Sequence, residues 1–284
     1  MSETSILCPH GHWEAEIKLG FARIDGATRL VERTHRGPLR VQKALYPEGE
    51  TVCQAILLHP PSGIAGGDRL HIGVDVAQGA HAQMTTPGAG KWYRSAGDEA
   101  SQKLVFNVAN EGIFEWLPQE TIVFDGARSH METRVNLVGD ARYFGWEILC
   151  LGRSAAGERF SNGHIDLVTR IERDGRPLWL ERGHVEGNDP LLHSRAGWDG
   201  NSICGTLLAT LPTGFDVASL LEVGRAVAPN DEAEHGLTAL PGMLLARYLG
   251  HNSEAARLWF GALWQLFRPA LLGRAAVPPR IWMT

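Results

Sequence analysis

The sequence predicts a mainly β protein: a body of many short strands over about residues 13–211, then a smaller mixed part over 212–284 that holds the helices. Three observations predict it. Apolar Trp13, Ala15, Ile17, Leu19 and Phe21 alternate with Glu14, Glu16 and Lys18, and 70–76 and 165–171 repeat that period of two, as half-buried strands do. Such stretches recur about every ten residues and are broken by turn pairs such as Asp25-Gly26 and Asp174-Gly175. Helical spacing of apolar residues is clear only near the C terminus, across 254–272.

Taken in order, Asp25-Gly26 turns the first strand back into 29–34, Gly37-Pro38 opens a third strand, and 52–58 reads as a more buried one. His59 to Asp68 (HPPSGIAGGD) is an irregular loop. Its prolines stiffen it, its glycines permit positive φ, and Asp68 suits an Asx turn at its end. After 70–76 and 80–86 comes Pro87-Gly88-Ala89-Gly90-Lys91-Trp92. A phosphate-binding loop would need Gly where Thr85 stands and a hydroxyl where Trp92 stands, so nucleotide hydrolysis is not predicted. Lys91 and Arg94 are expected to meet carboxylates, nearby or on an acidic partner.

Strands follow at 103–108, 113–116, 121–124 and 131–137, with Pro118 marking a bend between the second and third. Residues 141–151 (ARYFGWEILCL) are apolar apart from Arg142 and Glu147, as in a strand buried on both faces. Another pair spans 165–171 and 177–185, and the body ends at 203–211. Then come a short helix over 217–227 capped by Asp216, a polar linker over 229–236, one strand over 237–248, and a long helix over 254–272 capped by Ser253. Leu258, Trp259, Phe260, Leu263, Trp264 and Phe267 nearly encircle that helix, which predicts burial on two sides or a partner helix. The tail, 277–282, cannot be helical, and its apolar ends suggest docking.

The chain has 284 residues, 44% of them hydrophobic, enough for a sizeable core. Its net charge of −5, with no long basic run, argues against nucleic acid or an anionic membrane as partner. No apolar run approaches the ~18 residues of a membrane span, and the first residues lack the pattern of a secretion signal. Cys8, Cys53, Cys150 and Cys204 are too scattered for a disulfide framework or structural zinc site, so a reduced, cytoplasmic protein is expected.

Several residues invite a chemical reading. Glu115, Glu120 and Asp125 lie among Trp116, Leu117, Ile122, Val123 and Phe124, where carboxylates are costly unless paired or cation-bound. They are expected at the ends of two strands, facing water unless functional. Glu147, inside an apolar strand, is the strongest anomaly, with Arg153 or Arg94 as candidate ion-pair partners. Cys8, His10 and His12 have the chemistry of a soft-metal site, although a mobile lead-in is the simpler expectation.

Together, HPPSGIAGGD (59–68), TTPGAGKWYRS (85–95), EWLPQETIVFDGA (115–127), GWEILCLGR (145–153) and RPALLGRAAVPPRIW (268–282) resemble the urease accessory protein UreD (UreH) family, over nearly the whole chain. Ser62 and Trp92 stand where other members often show Gly and Phe. The resemblance implies a single domain over 1–284, with an irregular β-helical, solenoid-like body and C-terminal helices. It also implies a non-enzymatic role in which apo-urease is bound, UreF and the GTPase UreG are recruited, and nickel passes through the protein without a stably bound cofactor. Matched residue by residue, the acids of that route fall on Asp68, Glu147 and Glu181. Gly90 stands where some members have Ser, so no hydroxyl acts there.

Acids without a Cys/His cage fit transfer rather than storage, because conduction needs weak, multiple sites. Two rival readings stand beside this one. In the first the chain is a pure scaffold that docks through Trp259, Trp264 and Trp282, and its acids are structural. In the second it is a β-helical hydrolase with a carboxylate pair, drawn from Glu115, Glu120, Asp125 and Glu147, roughly 5–9.5 Å apart in an open groove.

Overall fold

The computed structural model describes residues 11–283. Strand β1 (Glu14–Ile24) turns at Asp25-Gly26 into the antiparallel β2 (Ala27–Arg36). Both turn residues take positive φ, 49° and 82°, the type I′ geometry that matches strand twist. The two-residue β3 (Arg40–Val41) and β4 (Cys53–Leu58) begin a second sheet. From there the chain winds between the two sheets. β5 (Arg69–Val76), β8 (Ala100–Val108), β11 (Arg128–Leu137) and β13 (His164–Arg173) stack in parallel beside β1 in the first sheet. β6 (His81–Thr85), β9 (Ile113–Trp116) and β12 (Arg142–Leu151) stack in parallel on β4 in the second, which the short β7 (Gly90–Trp92) and β10 (Thr121–Val123) also join. The result is a β-solenoid of about four turns. Its rungs vary from three to eleven residues, which is why the sequence shows no fixed repeat.

An antiparallel strand, β14 (Arg176–Glu186), ends the first sheet. β15 (Ile203–Thr210), β16 (Glu234–Leu240) and β17 (Met243–Gly250) extend the second in the order β16-β17-β15-β12. The single strand expected over 237–248 is therefore a hairpin, because Pro241-Gly242 is a turn pair, and the expected linker holds the start of β16. Helix α1 (Ala218–Arg225) and the long α2 (Ser253–Leu272) follow the expected spans. The cap of α2 is Asn252, whose side chain accepts from the Glu254 and Ala255 amides, and not Ser253. No described helix is long and apolar enough to cross a membrane.

The second sheet is covered on both faces, which explains its apolar strands. Tyr143, Leu149 and Leu151 of β12 face the first sheet, while Phe144, Trp146, Ile148 and Cys150 face α2. The same packing disposes of the encircled helix. Trp259 and Trp264 are buried within the chain, so they cannot form the docking surface expected of them. Trp259 donates to the Val227 carbonyl (2.8 Å) and Trp264 to Glu115 Oε2 (2.6 Å). The half-buried Trp282 docks on its own chain: its ring lies 5.8 Å from that of Trp146 and 5.9 Å from that of Trp264, and it donates to Thr85 Oγ1.

Candidate functional site

The two sheets do not close completely upon each other. Between them lies a cavity of about 110 Å³, room for several waters. Gln102, Leu104, Thr133, Thr169 and Glu181 line it from the first sheet. Trp92, Trp116, Tyr143, Glu147, Thr206 and Leu208 line it from the second. Strand alternation decides which residues these are. On β12 the odd positions face inward, so the one acid in ARYFGWEILCL projects into the cavity and not toward α2.

Register then assembles the polar group. Glu147 lies opposite Thr206 on β15, which lies opposite Arg247 on β17. The Arg247 guanidinium donates to Thr206 Oγ1 at 2.9 Å, reaches across to Glu181 Oε1 at 2.6 Å, and stands 5.8 Å from the Trp179 ring centre. Neither expected partner of Glu147 is present, since Arg153 pairs with Glu158 and Arg94 with Asp125. Glu147 makes no hydrogen bond among the described residues. Burial pushes its carboxyl up to about 7, the Glu181 charge adds to the rise, and Arg247 only partly opposes it. Glu181 therefore pairs directly with a half-buried guanidinium, while Glu147 feels its charge without touching it. Beside them burial pushes the Cys204 thiol up to about 11, which keeps it protonated and a poor metal ligand at neutral pH.

Asp68 does not belong to this group. It does not line the cavity, and its two oxygens accept the amides of Trp13 and Ala65, each at 2.8 Å. The carboxylate fastens the glycine-rich loop, whose Ile64 does border the cavity. Replacing it leaves two amides without acceptors, so Asp68→Ala is expected to lose about 1–3 kcal/mol in urea denaturation. An unchanged midpoint would show that the loop does not need it.

Glu115, Glu120 and Asp125 do not form an open carboxylate pair either. Asp125 holds the Ser161 and Asn162 amides and Arg94. Glu115, expected at a strand end, is fully buried between the second sheet and α2, where His81, Trp264 and Arg268 surround it at 2.6–2.8 Å in their shortest contacts. Glu48 binds the far side of the same guanidinium. Sequence reading missed Arg247, Thr206 and Cys204, and only the β12–β15–β17 register, which sets Thr206 opposite Glu147, Arg247 opposite Thr206 and Cys204 two residues along β15, would have pointed to them. Of the Cys8, His10 and His12 group, only His12 lies within the described residues.

Comparison with known proteins finds relatives along nearly the whole chain. The profile of the UreD urease accessory protein family matches residues 14–283. A urease accessory protein UreD of Dechloromonas aromatica (strain RCB) is 63% identical over 96% of this chain and 95% of its own. One from Azoarcus sp. (strain BH72) is 53% identical over 96% and 94%, and one from Nitrosococcus oceani 49% over 96% and 90%. With a family profile that spans the strand body and both helices, and relatives this similar along their whole length, the chain belongs to the UreD family of urease accessory proteins.

Proposed function

We propose that, within urease maturation, this chain is a non-enzymatic cytoplasmic adaptor that binds apo-urease, recruits UreF and through it UreG, and lets nickel pass inside its solenoid by way of Glu147 and Glu181. The observation that carries the reading is that these two acids, one from each sheet, line the same cavity. Oxygen ligands hold nickel less tightly than imidazole or thiolate, and the one thiol nearby stays protonated. A hydrated divalent ion is therefore attracted but not trapped, as passage requires. Arg247 is the resident cation of the site, and an ion bound by Glu181 takes its place. Asp68 serves the route indirectly, by holding the loop that borders the cavity.

The test is co-expression with urease and the other accessory proteins, reading nickel content and urease activity. Glu147→Gln with Glu181→Gln is expected to lower activation about tenfold or more, in the range typical of altered metal environments, while UreF still co-purifies. Full activation by the double variant would remove the passage and leave a docking scaffold.

A further inference from the structure

Among the described residues, Glu99, His164 and Asp166 bring one ligand atom each within 4.8 Å of the others, on the outer face of the first sheet. We propose that these three side chains form a binding site for a divalent first-row transition metal, flanked by His130 and His184. The site is separate from the inner cavity and does not rest on the reading of it.

Parallel and antiparallel register builds the group. β11, β13 and β14 lie side by side, so His130, Asp166 and His184 share one row, and Arg128, His164 and Glu186 the next. Ile165, between the two rows, is buried, which leaves His164 and Asp166 facing out. Glu99, immediately before β8, comes up beside them with Oε2 at 2.9 Å from His164 Nε2. Asp166 Oδ2 is 4.0 Å from the same nitrogen.

Ligand atoms about 2.0–2.2 Å from a shared ion sit roughly 3 Å apart, so closing the site takes a small rotation of exposed side chains. The other Asp166 oxygen is held by His184 Nδ1 at 2.7 Å, which orients the carboxylate as the outer partners of metal ligands do. The neighbouring cation, Arg128, donates to the Gly97 carbonyl. An imidazole with two carboxylates selects nickel, cobalt or zinc over magnesium and calcium. His12 pairs with Asp98, the residue before Glu99, so the described end of the Cys8–His12 motif reaches the same loop.

The bland alternative is a set of solvated cross-strand ion pairs, and equilibrium dialysis of the full chain against nickel(II) chloride separates the two. The unsubstituted chain is expected to bind an equivalent that His164→Ala loses and Glu99→Gln holds about tenfold more weakly, with circular dichroism unchanged. Cobalt(II) is expected to show d–d bands that His164→Ala abolishes. The equivalent should survive both Glu147→Gln and the Cys8→Ser/His10→Ala pair. Wild-type stoichiometry in His164→Ala and Glu99→Gln, no binding by the unsubstituted chain, or loss confined to the Cys8/His10 or Glu147 variants would each overturn the site.

Discussion

Arg268→Ala is expected to cost about 3–5 kcal/mol, the range for breaking a buried ion pair, which is a large part of a typical folding free energy. Arg268 links two buried carboxylates, Glu115 and Glu48, that come from distant parts of the chain. Removing it takes the cation from both buried carboxylates, leaving Glu115 with His81 and Trp264 and Glu48 with Gln54, and removes one of the ties of α2 to the second sheet. Urea denaturation at neutral pH measures the loss. A change below about 1 kcal/mol would show that the site relaxes or admits water.

The pH dependence tests the same cluster. Burial alone would raise the Glu115 carboxyl, but the His81 hydrogen bond and the His81 and Arg268 charges outweigh it and hold Glu115 down at about 2. Its contribution is therefore complete above the ordinary carboxylate range and is lost as pH falls from about 4.5 towards 2. In Arg268→Ala the carboxyl takes up a proton at higher pH, so the deficit should be largest near neutrality and shrink in acid.

Glu147→Gln is expected to do the opposite. Its carboxyl is raised to about 7, so the fold prefers the neutral form. Ionisation then costs nothing at pH 4, costs progressively more as pH rises through 4.5 to 7, and is fully felt above that. The amide removes the charge, so the variant should be more stable by on the order of 2 kcal/mol at pH 8, several degrees in melting temperature, and about equal to the parent at pH 4. An equal gain at both pH values would sink the assignment of a buried, poorly neutralised charge. Stabilisation coupled to lost urease activation is what a residue kept for function at the expense of stability predicts.

Much of this was legible locally. Alternation located the strands, Asp-Gly pairs located the hairpins, and one acid in an apolar strand singled out Glu147. Local reading erred where a turn hid in an apolar run, at Pro241-Gly242, and where Trp259 and Trp264 were expected to dock a partner; the burial of α2 on two sides, also expected, is what the structure shows. It separated Asp68, suited to an Asx turn, from Glu147, the lone acid of an apolar strand; only the family resemblance joined them on one route. One satisfies backbone amides and the other faces a cavity.

By itself the sequence determined the strand and helix spans and, through its long motifs, the family. Tertiary structure alone decided which acids meet. Side-chain direction alternates along each strand, so whether a residue lines the cavity, the outer face or the α2 interface depends on register between strands far apart in the chain. That register is why Arg247 lies between Thr206 and Glu181, and why His164 and Asp166 share a face with Glu99.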